Sequence, residues 1–82
     1  PGYYILVASF RYSELAAKDM KRWQRRQQAV WMEWSQVPGR GEWVRVMLGP
    51  YQKKKAAKAE AEAFLKTRLI NGYRILDKLD LD

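Results

Sequence analysis

Two stretches of this chain repeat the same pattern 41 residues apart, and that echo constrains the fold more than any other feature. Ile5 and Val7 correspond to Val46 and Leu48, Ala8 to Gly49, and Phe10 to Tyr51. Further along, Ala16, Met20 and Trp23 correspond to Ala57, Ala61 and Phe64. The first set alternates, as a half-buried strand does, and the second recurs at helical spacing. A chain of 82 residues is one domain. At this size only ~60% of the unfolded surface is buried on folding, so both units must share a single lean core.

Reading outward from the echo gives the order strand-helix-strand twice. Tyr3 to Phe10 is a strand with Ile5 and Val7 on one side and Tyr4, Leu6 and Ala8 on the other. Ser13 is placed as the N-cap of a helix, with Glu14 in its first turn where a carboxylate suits the helix dipole. Ala16, Met20, Trp23 and Gln27 form its inner stripe, and Lys18, Lys21, Arg22, Arg25 and Arg26 its basic outer face. Ala29 to Ser35 is a tryptophan-rich strand, Pro38 to Gly41 a turn, and Glu42 to Leu48 a third strand broken by Gly49-Pro50. Lys53 to about Arg68 is a second helix with Ala57, Ala61, Phe64 and Leu65 inward. Asn71-Gly72 supplies left-handed-capable residues after it, and Tyr73 to Leu79 is the last strand. The expected fold is α+β: a pseudo-duplicated βαββαβ, ferredoxin-like or RNP-like, with a four-stranded antiparallel sheet and both helices on one face. The other face is left open as the binding surface.

The residue inventory argues against catalysis. There is no histidine and no cysteine, which removes the commonest general base, any disulfide framework and any thiolate metal site. Ser9, Ser13, Ser35, Thr67 and the tyrosines have no base partner visible in the sequence. Glu60 and Glu62 are two apart on a helix and point to different faces, while Asp77, Asp80 and Asp82 read as a solvated C-terminal cluster. No cofactor or metal is expected. No apolar run reaches the roughly 18 residues of a membrane span, and no signal-peptide pattern opens the chain. Because Pro1 is not a natural start, residues 1–82 are read as one domain excised from a longer protein, and a monomer is expected.

Tyr3-Tyr4-Ile5-Leu6-Val7-Ala8-Ser9-Phe10, followed by a helix with Ala16, resembles the first half of the sporulation-related repeat (SPOR) domain. Trp43-Val44-Arg45-Val46-Met47-Leu48-Gly49-Pro50-Tyr51, then Ala57, resembles its second half. The resemblance implies a βαββαβ fold and a place in the bacterial envelope, periplasmic or at the cell surface. It also implies binding to septal peptidoglycan, on glycan strands stripped of their stem peptides. Two departures stand out: Leu6 occupies a position where many members carry a glycan-contacting glutamine, and Lys53-Lys54-Lys55 replaces a serine or acidic helix start.

Such a glycan carries a lactyl carboxylate on each bare muramic acid, so it calls for aromatic planes, cations and hydroxyl or amide partners. The glycan-binding candidates are Leu6, Ser9, Trp31, Trp43, Arg45 and Met47. Trp43, Arg45 and Met47 share the open face if Val44, Val46 and Leu48 are core. Trp43 is either a stacking platform or an edge-of-core residue. Arg45 is either a ligand cation or a cross-sheet partner of Glu33. Ser9 is a ligand donor or a turn cap. Trp31 shares the face of Glu33, leaving Met32 and Trp34 to line the core, and the inverse register is also open. Trp23 is core. Lys53 to Lys55 are a solvated helix start or an anion-attracting rim, in keeping with a net charge of +7.

Two other functions compete. A protein-interaction module that has lost glycan binding would use Leu6, Trp43 and Met47 as an exposed apolar patch. Single-stranded nucleic acid would suit a basic sheet with surface aromatics. However, the third strand reads Glu42-Trp43-Val44-Arg45-Val46-Met47, without the Gly-aromatic signature of RNA-recognition folds, so nucleic acid is not expected as a partner.

Overall fold

The computed structural model describes residues 2–78 and has the expected architecture. The elements run β1 (Tyr3–Phe10), α1 (Ser13–Arg25), β2 (Val30–Val37), β3 (Gly41–Tyr51), α2 (Lys54–Lys66) and β4 (Arg74–Asp77). The strands form one antiparallel sheet in the order β2-β3-β1-β4. Both helices cover one face. Ile5, Val7, Val44, Val46 and Leu48 point down from the two central strands onto Ala16, Trp23, Ala57, Ala61 and Phe64. Alanine at positions 16, 57 and 61, each fully buried, lets the helix backbones approach the sheet closely. The gap between the helices is filled by Trp23 and Phe64, whose rings meet edge-on with centroids 5.1 Å apart.

The 41-residue echo is a structural repeat with a local two-fold axis. Tyr12 and Lys53 precede the two helices with identical backbone angles, φ −123° and ψ 137°, and each helix has 13 residues. Each closes with the same Schellman motif: Gln28 N–H bonds Trp23 O at 3.0 Å and Leu69 N–H bonds Phe64 O at 2.9 Å. The left-handed residues of these motifs are Gln27 and Arg68, both with φ 62°. Leu6 pairs directly with its own counterpart, Met47, so the axis runs through that pair on the open face and between Trp23 and Phe64 beneath. Arg22 ties the helices together, pairing with Asp19 at 2.6 Å and donating to Leu69 O at 2.7 Å.

Several local expectations are corrected. Ser13 is the first helical residue and not the N-cap; Tyr12 holds that position and makes no side-chain cap. The start is set by Ala16, which must reach the core, as Ala57 must in α2. Gln27 does not extend the inner stripe, because it ends the helix and is exposed. The left-handed turn after α2 falls on Arg68, ahead of Asn71-Gly72. Gly49-Pro50 does not break the third strand, which continues to Tyr51 opposite Tyr3. A register shift absorbs the extra residue. Gly49 sits at φ +142°, where a Cβ would lie 2.9 Å from Tyr3 O, so no side chain fits. The hairpin between β2 and β3 turns on Pro38-Gly39, with Arg40 N–H bonding Val37 O at 2.9 Å and Gly39 at φ +77°. This is the type II arrangement of proline then glycine. The last strand is shorter than expected, Arg74–Asp77, and Leu79, Asp80 and Asp82 lie outside the described residues.

Candidate functional site

The face turned away from the helices is built by pleat alternation. It carries Trp43, Arg45 and Met47 from β3, Trp31, Glu33 and Ser35 from β2, Tyr4 and Leu6 from β1, and Arg74 from β4. A second register shift, between Leu6 and Ala8, is the counterpart of the one at Gly49. It changes the parity of β1: Ala8 pairs with Val46 and packs against the core, while Ser9 pairs with Arg45 and joins Leu6 on the open face. Ala8 was expected beside Leu6, and the bulge is the reason it is not.

The face divides into two grooves. The first, about 240 Å³, is walled by Leu6, Ser9, Ser35, Trp43, Arg45 and Arg74, with Val37 and Arg40 at the hairpin end. Three guanidinium groups, two hydroxyls and one indole thus converge on a shallow trough. It is smaller than the roughly 300 Å³ needed to enclose a drug-sized ligand, so it is an open trough and not an enclosing pocket. Trp43 is fixed by its indole N–H, which donates to Arg40 O at 3.2 Å, and by Arg11, whose guanidinium lies 5.5 Å from the ring centroid. Trp43 is therefore a held, half-buried plane at the rim and not part of the core.

The second groove is lined by Tyr4, Trp31, Met32, Glu33, Met47 and Lys78. Trp31 is half exposed, and its indole N–H donates to Gly49 O at 2.9 Å. Met47 lies on the open face as expected but is only 4% exposed, so it forms floor and not a contact surface. Between the grooves sits an ion cluster. Glu33 lies across the sheet from Arg45, 3.8 Å from Nη1, and receives Lys78 Nζ at 2.9 and 3.1 Å. Arg45 thus lies on the open face and is a loose cross-sheet partner of Glu33.

Of the six candidates, Leu6, Ser9, Trp43 and Arg45 gather in the first groove, whereas Trp31 and Met47 belong to the second. The expected apolar patch of Leu6, Trp43 and Met47 does not exist, because Met47 is covered. The exposed apolar residues lie on β2, where Met32 and Trp34 are 43% and 58% exposed. They sit on the helix side, opposite Val46 and Val44, but β2 is an edge strand and they stay largely uncovered rather than lining the core. Arg40, Arg74 and Lys78 were missed. Arg74 is placed by how β4 pairs with β1, and Lys78, just past β4, by its N–H bond to Gly2 O, neither of which a local pattern encodes.

Two tyrosines off this face hold their protons unusually tightly. Tyr51 is pushed up to about 12 by burial and by nearby Glu60, and Tyr73 is raised by donating its hydroxyl to Glu62. Among the described residues no acidic cluster could hold a metal, and no helix is long and apolar enough to cross a membrane. Lys53, Lys54 and Lys55 are exposed at the start of α2. The family model of the SPOR domain matches residues 1–75. No curated protein and no solved structure matches the chain.

Proposed function

This chain belongs to the SPOR domain family, peptidoglycan-binding and non-catalytic modules of cell-envelope division proteins, and on that premise we propose that it recognises denuded glycan strands at division sites through its open sheet face. The observation that carries this reading is the first groove: Arg40, Arg45 and Arg74 converge with Ser9, Ser35 and the fixed plane of Trp43. Bare muramic acid offers a carboxylate for a guanidinium, hydroxyls for the serines and a C–H sugar face for the indole. An intact stem peptide would cap that carboxylate as an amide and remove the charge the arginines select. Leu6 supplies an apolar wall where relatives of this family carry an amide.

The test is co-sedimentation with purified sacculi before and after amidase removes the stem peptides. Retention should be markedly greater on the treated material. Equal retention on both overturns the preference for bare glycan. No retention on either favours a second reading, a protein-interaction module of the same fold, which the exposed Met32 and Trp34 on the helix side of β2 would serve.

A further inference from the structure

The ion cluster between the grooves has an unusual arrangement. Glu33 is the carboxylate that both Arg45 and Lys78 face, yet the three come from different parts of the sheet. Glu33 lies on β2, Arg45 on β3, and Lys78 follows β4 at the opposite edge. Lys78 is anchored by its own N–H to Gly2 O at 2.9 Å. Its ammonium then makes two contacts to Glu33, at 2.9 and 3.1 Å, with its side chain only 17% exposed. Arg45 stands 3.8 Å from the same carboxylate, too far for a hydrogen bond.

We propose that Arg45 and Lys78 form a carboxylate subsite of the glycan-binding face, and that Glu33 occupies it until a ligand carboxylate displaces it. The inference rests on the glycan reading above and deepens it. The cluster lies at the boundary of the two grooves, with Arg45 in the first and Glu33 and Lys78 in the second, so a strand crossing both must pass over it. A partly exposed cluster of this kind contributes little to stability, which makes exchange of one carboxylate for another inexpensive. Arg45 in particular leaves a loose pair for a close one. Until Glu33 turns away, its charge repels an incoming lactyl carboxylate, so Glu33 sets how selective and how tight the face is.

The experiment compares the wild-type chain, Glu33→Gln and Glu60→Gln on amidase-treated sacculi. A second batch has its lactyl carboxylates coupled to ethanolamine through carbodiimide. Glu60→Gln makes the same change in net charge on α2, away from the open face. Glu33→Gln should bind the free-carboxylate glycan about three- to tenfold more tightly and gain nothing on the coupled glycan, while Glu60→Gln changes affinity less than twofold. Glu33→Thr, which suits a strand, repeats the comparison if the glutamine variant loses its circular dichroism spectrum. If the wild type binds and Glu33→Gln does not gain, the inference is wrong and the glycan reading stands. A gain that persists on coupled glycan, or that Glu60→Gln matches, also overturns it. If the wild type binds neither batch, the glycan reading itself fails and the subsite falls with it.

Discussion

Residues 3–28 and residues 44–69 share one backbone plan and differ mainly in what they present to solvent. Beneath the sheet, counterparts are interchangeable: Ile5 with Val46, Val7 with Leu48, Ala16 with Ala57, Trp23 with Phe64. On the open face they are not. Tyr4 corresponds to Arg45, and Ser9 to Pro50. Only the second half brings a cation to the centre of the face, and only the first brings a hydroxyl. The helices diverge in the same way: Lys18, Lys21 and Arg22 of α1 correspond to Ala59, Glu62 and Ala63 of α2. Duplication thus accounts for the core, and departure from it accounts for the groove of the candidate site.

The hardest test of the shared core is at the axis. Trp23→Ala should cost about 3–5 kcal/mol, since truncating a fully buried aromatic removes both its burial and its packing. Phe64→Ala should cost nearly as much. Against a total of about 5–15 kcal/mol, either change brings the domain close to unfolding. Because the two rings touch, the double variant should lose less than the sum of the single losses. Urea titration monitored by circular dichroism measures all three. Strict additivity would mean that the halves do not share one core across the axis.

The next test separates site from scaffold. Arg45→Ala and Trp43→Ala should each leave the circular dichroism spectrum intact, since both side chains lie on the open face. Each should reduce retention on amidase-treated sacculi. A charge-assisted hydrogen bond is worth about 1.5–3 kcal/mol, so the loss for Arg45→Ala should be tenfold or more. Normal retention by both variants would place the site elsewhere.

How much of this was legible in the residues follows from the range of each signal. Alternation of Val44, Val46 and Leu48 and the helical spacing of Ala16 and Trp23 are local, and they gave the strands, the helices and the open face. The bulge at Leu6–Ala8 is not local, because it follows from how β1 meets β3, so the sequence pattern put Ala8 on the wrong side. Met47 and Trp34 show the same limit from opposite directions. Neighbouring side chains covered the first, and a position on an edge strand left the second bare. Neither helix ends at a glycine, so the left-handed turns at Gln27 and Arg68 carried no compositional mark. Four of the six site candidates still gathered in one groove, because three of them depended only on alternation along a strand.

A smaller effect is expected at the axis on the open face, where Leu6 meets Met47. Leu6→Gln places an amide in a groove that already holds hydroxyls and guanidinium groups. One added hydrogen bond is worth ~0.5–1.5 kcal/mol, so glycan binding should strengthen about three- to tenfold with stability nearly unchanged. Unfolding of the variant would show that the Leu6–Met47 pair is structural. A fold that survives with weaker retention would make the apolar wall itself the recognition element.

The smallest effect appears only in alkali and again compares the halves. Tyr51 and Phe10 are counterparts, so the hydroxyl of Tyr51 is an addition to a position that the first half fills with a plain ring. Burial and Glu60 hold the Tyr51 phenol at about 12, above its ordinary 10.0. A folded-state pKa above the unfolded one means that the native chain keeps a proton the unfolded chain has released. The associated stability is complete below pH 10 and is lost as pH climbs through about 12. A two-unit shift would be worth about 2.7 kcal/mol for a fully sequestered group, but Tyr51 is only half-buried, and solvent screening brings the figure nearer 1 kcal/mol. Tyr51→Phe should therefore match the wild type in urea at pH 7 and lose less stability between pH 10 and 12. Parallel decline of the two proteins across that window would mean that Tyr51 ionises alike in both states, with Glu60 exerting no hold on it.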